Sequence, residues 1–519
     1  MLLFFHGISF RYENALKPVF DSLSASFPVG WTGVIGANGT GKTTLLRLAC
    51  GELEPQQGFA HRPPRAIYCA QRTDFPPGRF ERFIASTDGD ACQIRGRLTI
   101  GEDWLDRWDT LSHGERKRAE VAVALWESPD VLAMDEPTNH IDADTRQLLI
   151  DGLKLFRGIG LLVSHDREML DSLCRQCLVI DPPNLTMRPG GYTQAVSQAR
   201  QDEEYVRREH RRLKAAVQKL AQEAARRRRE AGRADRLRSK RGLDPKDHDT
   251  REKLDRARVS GKDGQAGRLA RQLDGRLAQL RDELAEIEIA RRYDMNFWLP
   301  GSCSPRRKLF ALPEGSIELG GGRRLSFPEL FMSRSDRIAV TGPNGAGKTT
   351  LIRHIYDSLS FPMDKVIYLP QEIDVATSRR VMAEVNSLPR DRLGHVMTVV
   401  SCLGSRPERL IGSVDTSPGE MRKVLLALGV TREPYLVIMD EPTNHLDLPA
   451  IECLENALDK CPCGLLLVSH DYRFLSRLAR VRWHLSPSGG SPGTPPPDYV
   501  LRISDTQDMR PAGSEPPRV

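Results

Sequence analysis

The sequence predicts an α/β chain in which two tandem P-loop domains are joined by a long helical hairpin, an antiparallel coiled coil. Three observations predict it. The pattern GxxxxGK[ST] occurs twice, at Gly36–Thr43 and Gly342–Thr349, each time between a short apolar run and a helical pattern. The motifs downstream of each loop recur in the same order at matched spacing. Between the copies, a basic stretch carries leucines that step by four and three residues, the rhythm of a helix seam that needs a partner.

At 519 residues the chain is long enough for two or three domains with full cores. Nowhere does it approach the roughly 20 consecutive apolar residues that span a membrane. The opening MLLFF is too short for a signal sequence, so the expected location is cytoplasmic. Ten cysteines without regular paired spacing predict reduced thiols. Cys174 with Cys177 and Cys461 with Cys463 each lack the second ligand pair that zinc requires.

The first copy, residues 1–196, starts with an apolar run ending at Val34 and Ile35. It meets Gly36, Ala37, Asn38, Gly39, Thr40, Gly41, Lys42, Thr43 and Thr44, then a helical pattern. Glycines let backbone N–H groups close around phosphates, and the helix N-terminus adds positive potential. Lys42 is placed to reach the β- and γ-phosphates of a nucleotide and Thr43 to ligate Mg²⁺. Val131–Met134 reads as a buried strand ending in Asp135 and Glu136, an acid for the metal's shell and an acid that orients the attacking water. A third apolar run ends at His165, where an imidazole can sense the γ-phosphate. Gln71 and the pentapeptide LSHGE, Leu111–Glu115, lie between loop and carboxylates.

The linker, residues 197–296, is where the positive charge lives. From Arg200 to Asp294 there are 28 Lys and Arg against 19 Asp and Glu, a net of +9 in a chain of net +7. Leu269, Leu273, Leu277, Leu280, Leu284 and Ile287 form one seam; Val206, Leu213, Val217, Leu220 and Ala224 form a weaker one on the earlier limb. A first limb of about 40 residues is about 60 Å long. RGLDPKDHDT, Arg241–Thr250, with Gly261, Gly264 and Gly267, supplies the helix breakers of a hairpin tip.

The second copy, residues 297–487, repeats the loop as Gly342, Pro343, Asn344, Gly345, Ala346, Gly347, Lys348 and Thr349, followed by Thr350. Gln371, TSPGE (Thr416–Glu420), Asp440 with Glu441, and His470 follow. Loop lysine to glutamate is 94 residues in the first copy and 93 in the second, and glutamate to histidine is 29 in both, so the chain is a tandem duplication. From Ser486 the chain turns into SPSGGSPGTPPP, and residues 488–519 are expected to be a disordered tail.

LSHGE resembles the signature motif of ATP-binding cassette ATPases, and DEPTNHID, Asp135–Asp142, resembles their Walker B and D-loop. The EPTNH wording resembles the ABC-F group, soluble twin-cassette proteins that act on the ribosome. The resemblance implies two ABC-type cassettes that bind ATP with Mg²⁺ and hydrolyse it. By position it implies Tyr12 for adenine stacking, Gln71 and Gln371 for the Q-loops beside the metal, and Ser112, Gly114, Ser417 and Gly419 for the signatures. His165 and His470 become the switches and Glu136 and Glu441 the catalytic acids. Cassettes of this superfamily close head to tail, so Lys42, Gln71, Asp135, Glu136 and His165 are expected to face Ser417 and Gly419. Lys348, Gln371, Asp440, Glu441 and His470 are expected to face Ser112 and Gly114. Thr416 and Pro418 depart from the usual signature, and Ile317–Arg324 offers no aromatic matching Tyr12.

The resemblance implies a ribosome-binding ATPase, seated at the exit site with its linker toward ribosomal RNA and the P-site tRNA, in translation or in protection against antibiotics. The mixed-charge tip near Gly242–Gly267, without bulky apolar residues, leans toward general translation. Two alternatives are a DNA-repair ATPase, which shares the basic patch, and the motor subunit of a transporter with a membrane partner. Only 41 residues separate Gln71 from Ser112 and 46 separate Gln371 from Ser417, short for the subdomain that docks membrane domains, so no transmembrane partner is expected.

Overall fold

Short apolar runs build the centre of each cassette. The first contains β1 (Leu3–Phe10), β2 (Phe20–Phe27), β3 (Gly30–Gly36), β4 (Gln57–His61), β5 (Ala66–Cys69), β6 (Val131–Asp135), β7 (Ile159–Val163), β8 (Cys174–Asp181) and β9 (Asn184–Pro189). The computed structural model describes the chain except residues 1, 14, 140, 183, 238–261, 287–296, 298, 300–302, 406, 411–417, 445, 489–497 and 506–519. Every residue of β6 and β7 is buried, as befits parallel strands covered on both faces. The sheet order is β5-β6-β7-β3-β8-β9, parallel through β8 and closed by the antiparallel β9, with β2-β1-β4 as a separate antiparallel sheet.

The second cassette contains β10 (Lys308–Leu312), β11 (Gly315–Gly320), β12 (Arg323–Phe327), β13 (Leu330–Ser333), β14 (Arg337–Thr341), β15 (Val366–Leu369), β16 (Leu436–Asp440), β17 (Gly464–Val468), β18 (Val481–Pro487) and β19 (Tyr499–Asp505). Its core order, β15-β16-β17-β14-β18-β19, repeats the first. Here the β11-β12 pair extends the same sheet, because β12 runs parallel to β19. In both copies the loop follows the strand beside the one that leads to His165 or His470, so loop, carboxylates and histidine gather at one carboxyl edge of the sheet.

Three expectations are corrected. The expected tail contains β19, which pairs with β18 from Val481↔Asp505 to Pro487↔Tyr499. Its Tyr499 and Leu501 are buried, so a seven-residue apolar alternation joins the core despite the Pro-rich stretch before it. Cys461 and Cys463 are joined as a disulfide, since the turn after the helix Leu448–Asp459 brings their Cα atoms to 5.6 Å. The other eight cysteines are free thiols. Gly264 and Gly267 do not break a helix: both lie inside the helix Lys262–Glu286. A glycine in a helix interior costs about 1 kcal/mol relative to alanine, which a helix of 25 residues absorbs.

The described chain divides into two units, Met1–Ala195 with Asp294–Val519, and Val196–Tyr293. The first holds both cassettes. In the second, the part from Val196 onward of the 46-residue helix Tyr192–Leu237, which begins eight residues before Arg200, faces Lys262–Glu286. Ala224 and Leu277 are buried, Leu213, Val217, Leu220, Leu273, Leu280 and Leu284 are half-buried, and Val206 is exposed. Arg228 Nη2 bonds Asp274 Oδ1 at 2.6 Å, tying the limbs antiparallel. Residues 238–261, with most of the expected tip, lie outside the described residues, as do Ile287 and the Leu269 side chain.

Candidate active site

Each loop is shaped by its glycines. Gly41 has φ 95° and Gly347 φ 93°, left-handed conformations that turn the chain into the helices Lys42–Cys50 and Lys348–Asp357. A Cβ on Gly41 would stand 2.5 Å from Val19, and one on Gly347 2.4 Å from Leu319, so no other residue fits. Lys42 Nζ donates to Gly36 O (2.9 Å) and Ala37 O (3.0 Å), and Lys348 Nζ to Gly342 O (2.8 Å) and Pro343 O (3.0 Å). The ammonium thus bridges the mouth of its own loop. Burial pulls both lysine pKa values below the usual range, opposed by Glu136 and Glu441 respectively. Thr40 Oγ1 donates to Ala37 O at 2.9 Å, and Thr44 and Thr350 ride on the first helical turns.

Thr43 Oγ1 donates to Asp135 Oδ2 at 2.7 Å, and Thr349 Oγ1 to Asp440 Oδ2 at 2.5 Å. Tyr68, which sequence reading did not single out, also donates to Asp135 Oδ2 (3.0 Å). A hydroxyl and a carboxylate converging beside a phosphate loop are hard oxygen donors, the set that suits Mg²⁺, which keeps waters and takes one or two carboxylates plus phosphate oxygens. These residues fit that ion. Gln71 and Gln371 line the same cavities.

Glu136 and Glu441 leave β6 and β16 with φ of 46° and 50°. Such backbone is strained for a non-glycine residue and is held here because Glu136 N bonds Val163 O (2.8 Å) and Glu441 N bonds Val468 O (2.9 Å). One oxygen of each carboxylate accepts the backbone N–H of a histidine, His165 at 3.0 Å and His470 at 3.3 Å. His165 Nε2 stands 3.0 Å from Glu136 Oε1 without a hydrogen bond to it, and His470 Nε2 stands 3.6 Å from Glu441 Oε1. Each Oε1 is therefore a buried acceptor without a hydrogen-bonded partner, aimed into the site. Burial raises both carboxyl pKa values to about 8, against the pull of Lys42 and Lys348. Burial, then Lys348, lowers His470 to about 3, so its imidazole is neutral.

The cassettes meet head to tail. A cavity of about 520 Å³ is lined by Ser112 and Gly114 from the first copy and by Asn344, Lys348, Thr349, Gln371, Asp440, Glu441 and His470 from the second. A second cavity joins Asn38, Gly39 and Gln71 to Gly419, and a third gathers Tyr12, Lys42, Thr43, Gln71, Asp135, Glu136 and His165. Ser417 lies outside the described residues. Ser112 forms a capping box with Glu115 at the N-terminus of the helix His113–Trp126, and Ser112, His113 and Gly114 line the first cavity.

Sequence reading missed the aspartates that lock this arrangement. Asp142 Oδ1 caps its own helix at Thr145 N (3.0 Å) while Oδ2 accepts from Asn344 N (3.4 Å) of the other cassette. Asp447 does the same for Ala450 N (3.0 Å) and Asn38 N (2.9 Å). The cap is legible as Asp before a helical pattern; the bond across the molecule is not. Arg167 reaches the other cassette too, bonding Glu455 and, at 3.0 Å, Asp471.

The family described as ABC transporter matches residues 21–139 and 328–402. The ribosome protection protein VmlR of Bacillus subtilis is 28% identical over 492 residues, covering 92% of this chain and 86% of that protein. The energy-dependent translational throttle protein EttA of Mycobacterium tuberculosis is 29% identical over 533 residues, covering 90% and 88%. Over most of its length the chain is similar to ABC-F ATPases. Twin cassettes of that kind account for the duplicated loops and the cross-cassette aspartates. A crystal structure of an archaeal ribosomal stalk protein with an archaeal ribosome recycling factor shares the fold, at TM-score 0.60 and 18% identity over 95% of this chain and 89% of that one. No helix among the described residues is long and apolar enough to cross a membrane.

Proposed function

We propose that this ABC-F chain hydrolyses ATP at two composite sites and uses the closure of its cassettes to engage the ribosome, in translation or in its protection. The observation that carries the reading is the reciprocal pair Asp447 to Asn38 and Asp142 to Asn344, which ties each cassette to the other's phosphate loop. Residues 1–196 and 297–487 serve as the cassettes, and residues 197–296 as the linker.

In each site the loop N–H groups and Lys42 or Lys348 hold the β- and γ-phosphates. Thr43, Asp135 and Gln71, and in the second site Thr349, Asp440 and Gln371, would hold Mg²⁺. When bound, the ion supplies positive charge to the phosphate oxygens. Glu136 and Glu441 orient the attacking water through the unpartnered Oε1, while His165 and His470 stand beside the γ-phosphate. The signature helix N-terminus from the opposite cassette completes the phosphate cage, so only the triphosphate favours the closed form. Ser112 and Gly114 serve the second site, and Ser417 and Gly419 the first.

VmlR is a ribosome protection protein and EttA a translational throttle. The linker's net charge of +9 supports RNA as its partner, because each arginine that neutralises a phosphate releases a counterion. The test is sedimentation of the Glu136→Gln, Glu441→Gln protein with ribosomes, with and without ATP. ATP-dependent co-sedimentation is expected. An active ATPase whose locked form never travels with ribosomal particles, or travels equally with duplex DNA across a salt series, overturns the ribosomal role.

A further inference from the structure

The two nucleotide sites differ on the side where a base would lie. In the first, Tyr12 follows β1, its hydroxyl 3.0 Å from Thr44 Oγ1 and its ring edge-on to Phe10 with centroids 5.0 Å apart. The ring is 40% exposed and lines the cavity with Lys42. In the second, β11 and β12 are joined by a tight turn through Gly320, Gly321 and Gly322, all at positive φ. Leu319 packs on Gly347 where Val19 and Phe20 pack on Gly41. Directly after the turn stands Arg323, whose Nη1 comes within 3.7 Å of where a Cβ on the loop residue Gly345 would be. No such cation approaches Gly39, around which nothing lies within 4 Å of the corresponding point. Arg323 Nε donates to Gly320 O at 3.4 Å, and none of the ion pairs among the described residues involves it. An arginine without a counter-ion at the lip of a phosphate loop is half of an ion pair whose other half is an anionic ligand.

We infer that the second site holds a nucleoside triphosphate by its phosphates alone, with Arg323 as an additional phosphate ligand, and does not read the base. The first site holds both base and phosphates, the base lying on Tyr12. The inference rests on the reading that both loops bind nucleotide.

Single-site proteins test it. Lys348→Ala leaves the first site and Lys42→Ala the second, and each is titrated calorimetrically with the Mg²⁺ complexes of ATP, GTP and inorganic tripolyphosphate. With only the first site, ATP is expected to bind about tenfold more tightly than tripolyphosphate, and Tyr12→Ala to erase that difference. With only the second, the three ligands are expected to bind alike, and Arg323→Ala to weaken all of them by about tenfold while Arg323→Lys restores much of the loss. A second site that keeps ATP but loses tripolyphosphate, or that ignores Arg323→Ala, overturns the inference. If neither single-site protein binds any of the three, the two-site ATPase reading itself fails, an outcome distinct from base selection at the second site.

Discussion

Asp447 accepts the backbone N–H of Asn38 at 2.9 Å, although the two residues stand 409 positions apart. The same carboxylate caps the helix Leu448–Asp459, so one buried side chain both starts a helix in one cassette and grips the phosphate loop of the other. Substituting amide for acid separates the roles. Asp447→Asn keeps a cap but presents an NH₂ group to Asn38 N–H. It is expected to raise the ATP concentration for half-maximal hydrolysis with little change in unfolding midpoint. Asp447→Ala removes both hydrogen bonds and a further ~1 kcal/mol of helix stability. Steady-state kinetics with thermal unfolding distinguishes the two.

Glu136→Gln with Glu441→Gln removes both carboxylates proposed to orient water while preserving shape. Turnover is expected to fall at least ~100-fold, and ATP to be retained in a closed form. Phosphate release and retained nucleotide after gel filtration report this; undiminished turnover defeats the assignment.

Both glutamates have carboxyl pKa values raised to about 8 by burial. An acid must be ionised to orient water, so the hydrolysis rate is expected to climb as pH rises toward 8 and then level. The stability consequence has the opposite sign. A folded pKa above the ordinary 4.5 means the native state binds more protons than the unfolded one, so this contribution is present below 4.5 and lost as pH rises through about 8. Glu136→Gln is expected to flatten the loss of unfolding stability between 4.5 and about 8 on the pH scale, read by denaturant titration.

Arg167 is 7% exposed, and its partner Glu455 2%. Removing the cation leaves Glu455 with Arg477 Nη1 at 3.1 Å as its remaining ion-pair partner, so Arg167→Met is expected to cost at most about 3 kcal/mol of unfolding free energy. Glu455→Gln on that background is expected to recover part of it.

Changing Arg226, Arg227, Arg228 and Arg229 to glutamine is expected to weaken ribosome binding at low salt. Its log–log salt slope should fall by about one for each phosphate that is no longer neutralised. ATP hydrolysis without ribosomes is expected to stay unchanged. Deleting Arg241–Gly267 is expected to spare ATP binding and impair ribosome-dependent function.

Much of this protein was legible in order along the chain because its chemistry is local. A phosphate loop needs its glycines, lysine and threonine consecutively, and a strand-end carboxylate needs the apolar run before it. Hence Lys42, Thr43, Asp135, Glu136 and their second-copy counterparts stood at the places the motifs required. The strand β19 was hidden by the proline-rich segment in front of it, whose composition dominated a short alternation. Gly264 and Gly267 misled because a glycine tolerates a helix that its neighbours propagate.

By itself the sequence determined that there are two phosphate loops, two acid pairs and a basic seam between them, since duplication, spacing and charge survive without coordinates. Only the tertiary structure decided which loop meets which aspartate and how the glutamates came to sit with positive φ beside their histidines. It also decided that Arg323 rather than an aromatic ring leans over the second loop. Those facts depend on packing between residues tens to hundreds of positions apart, which chain order does not encode and the close approach of two sheets does.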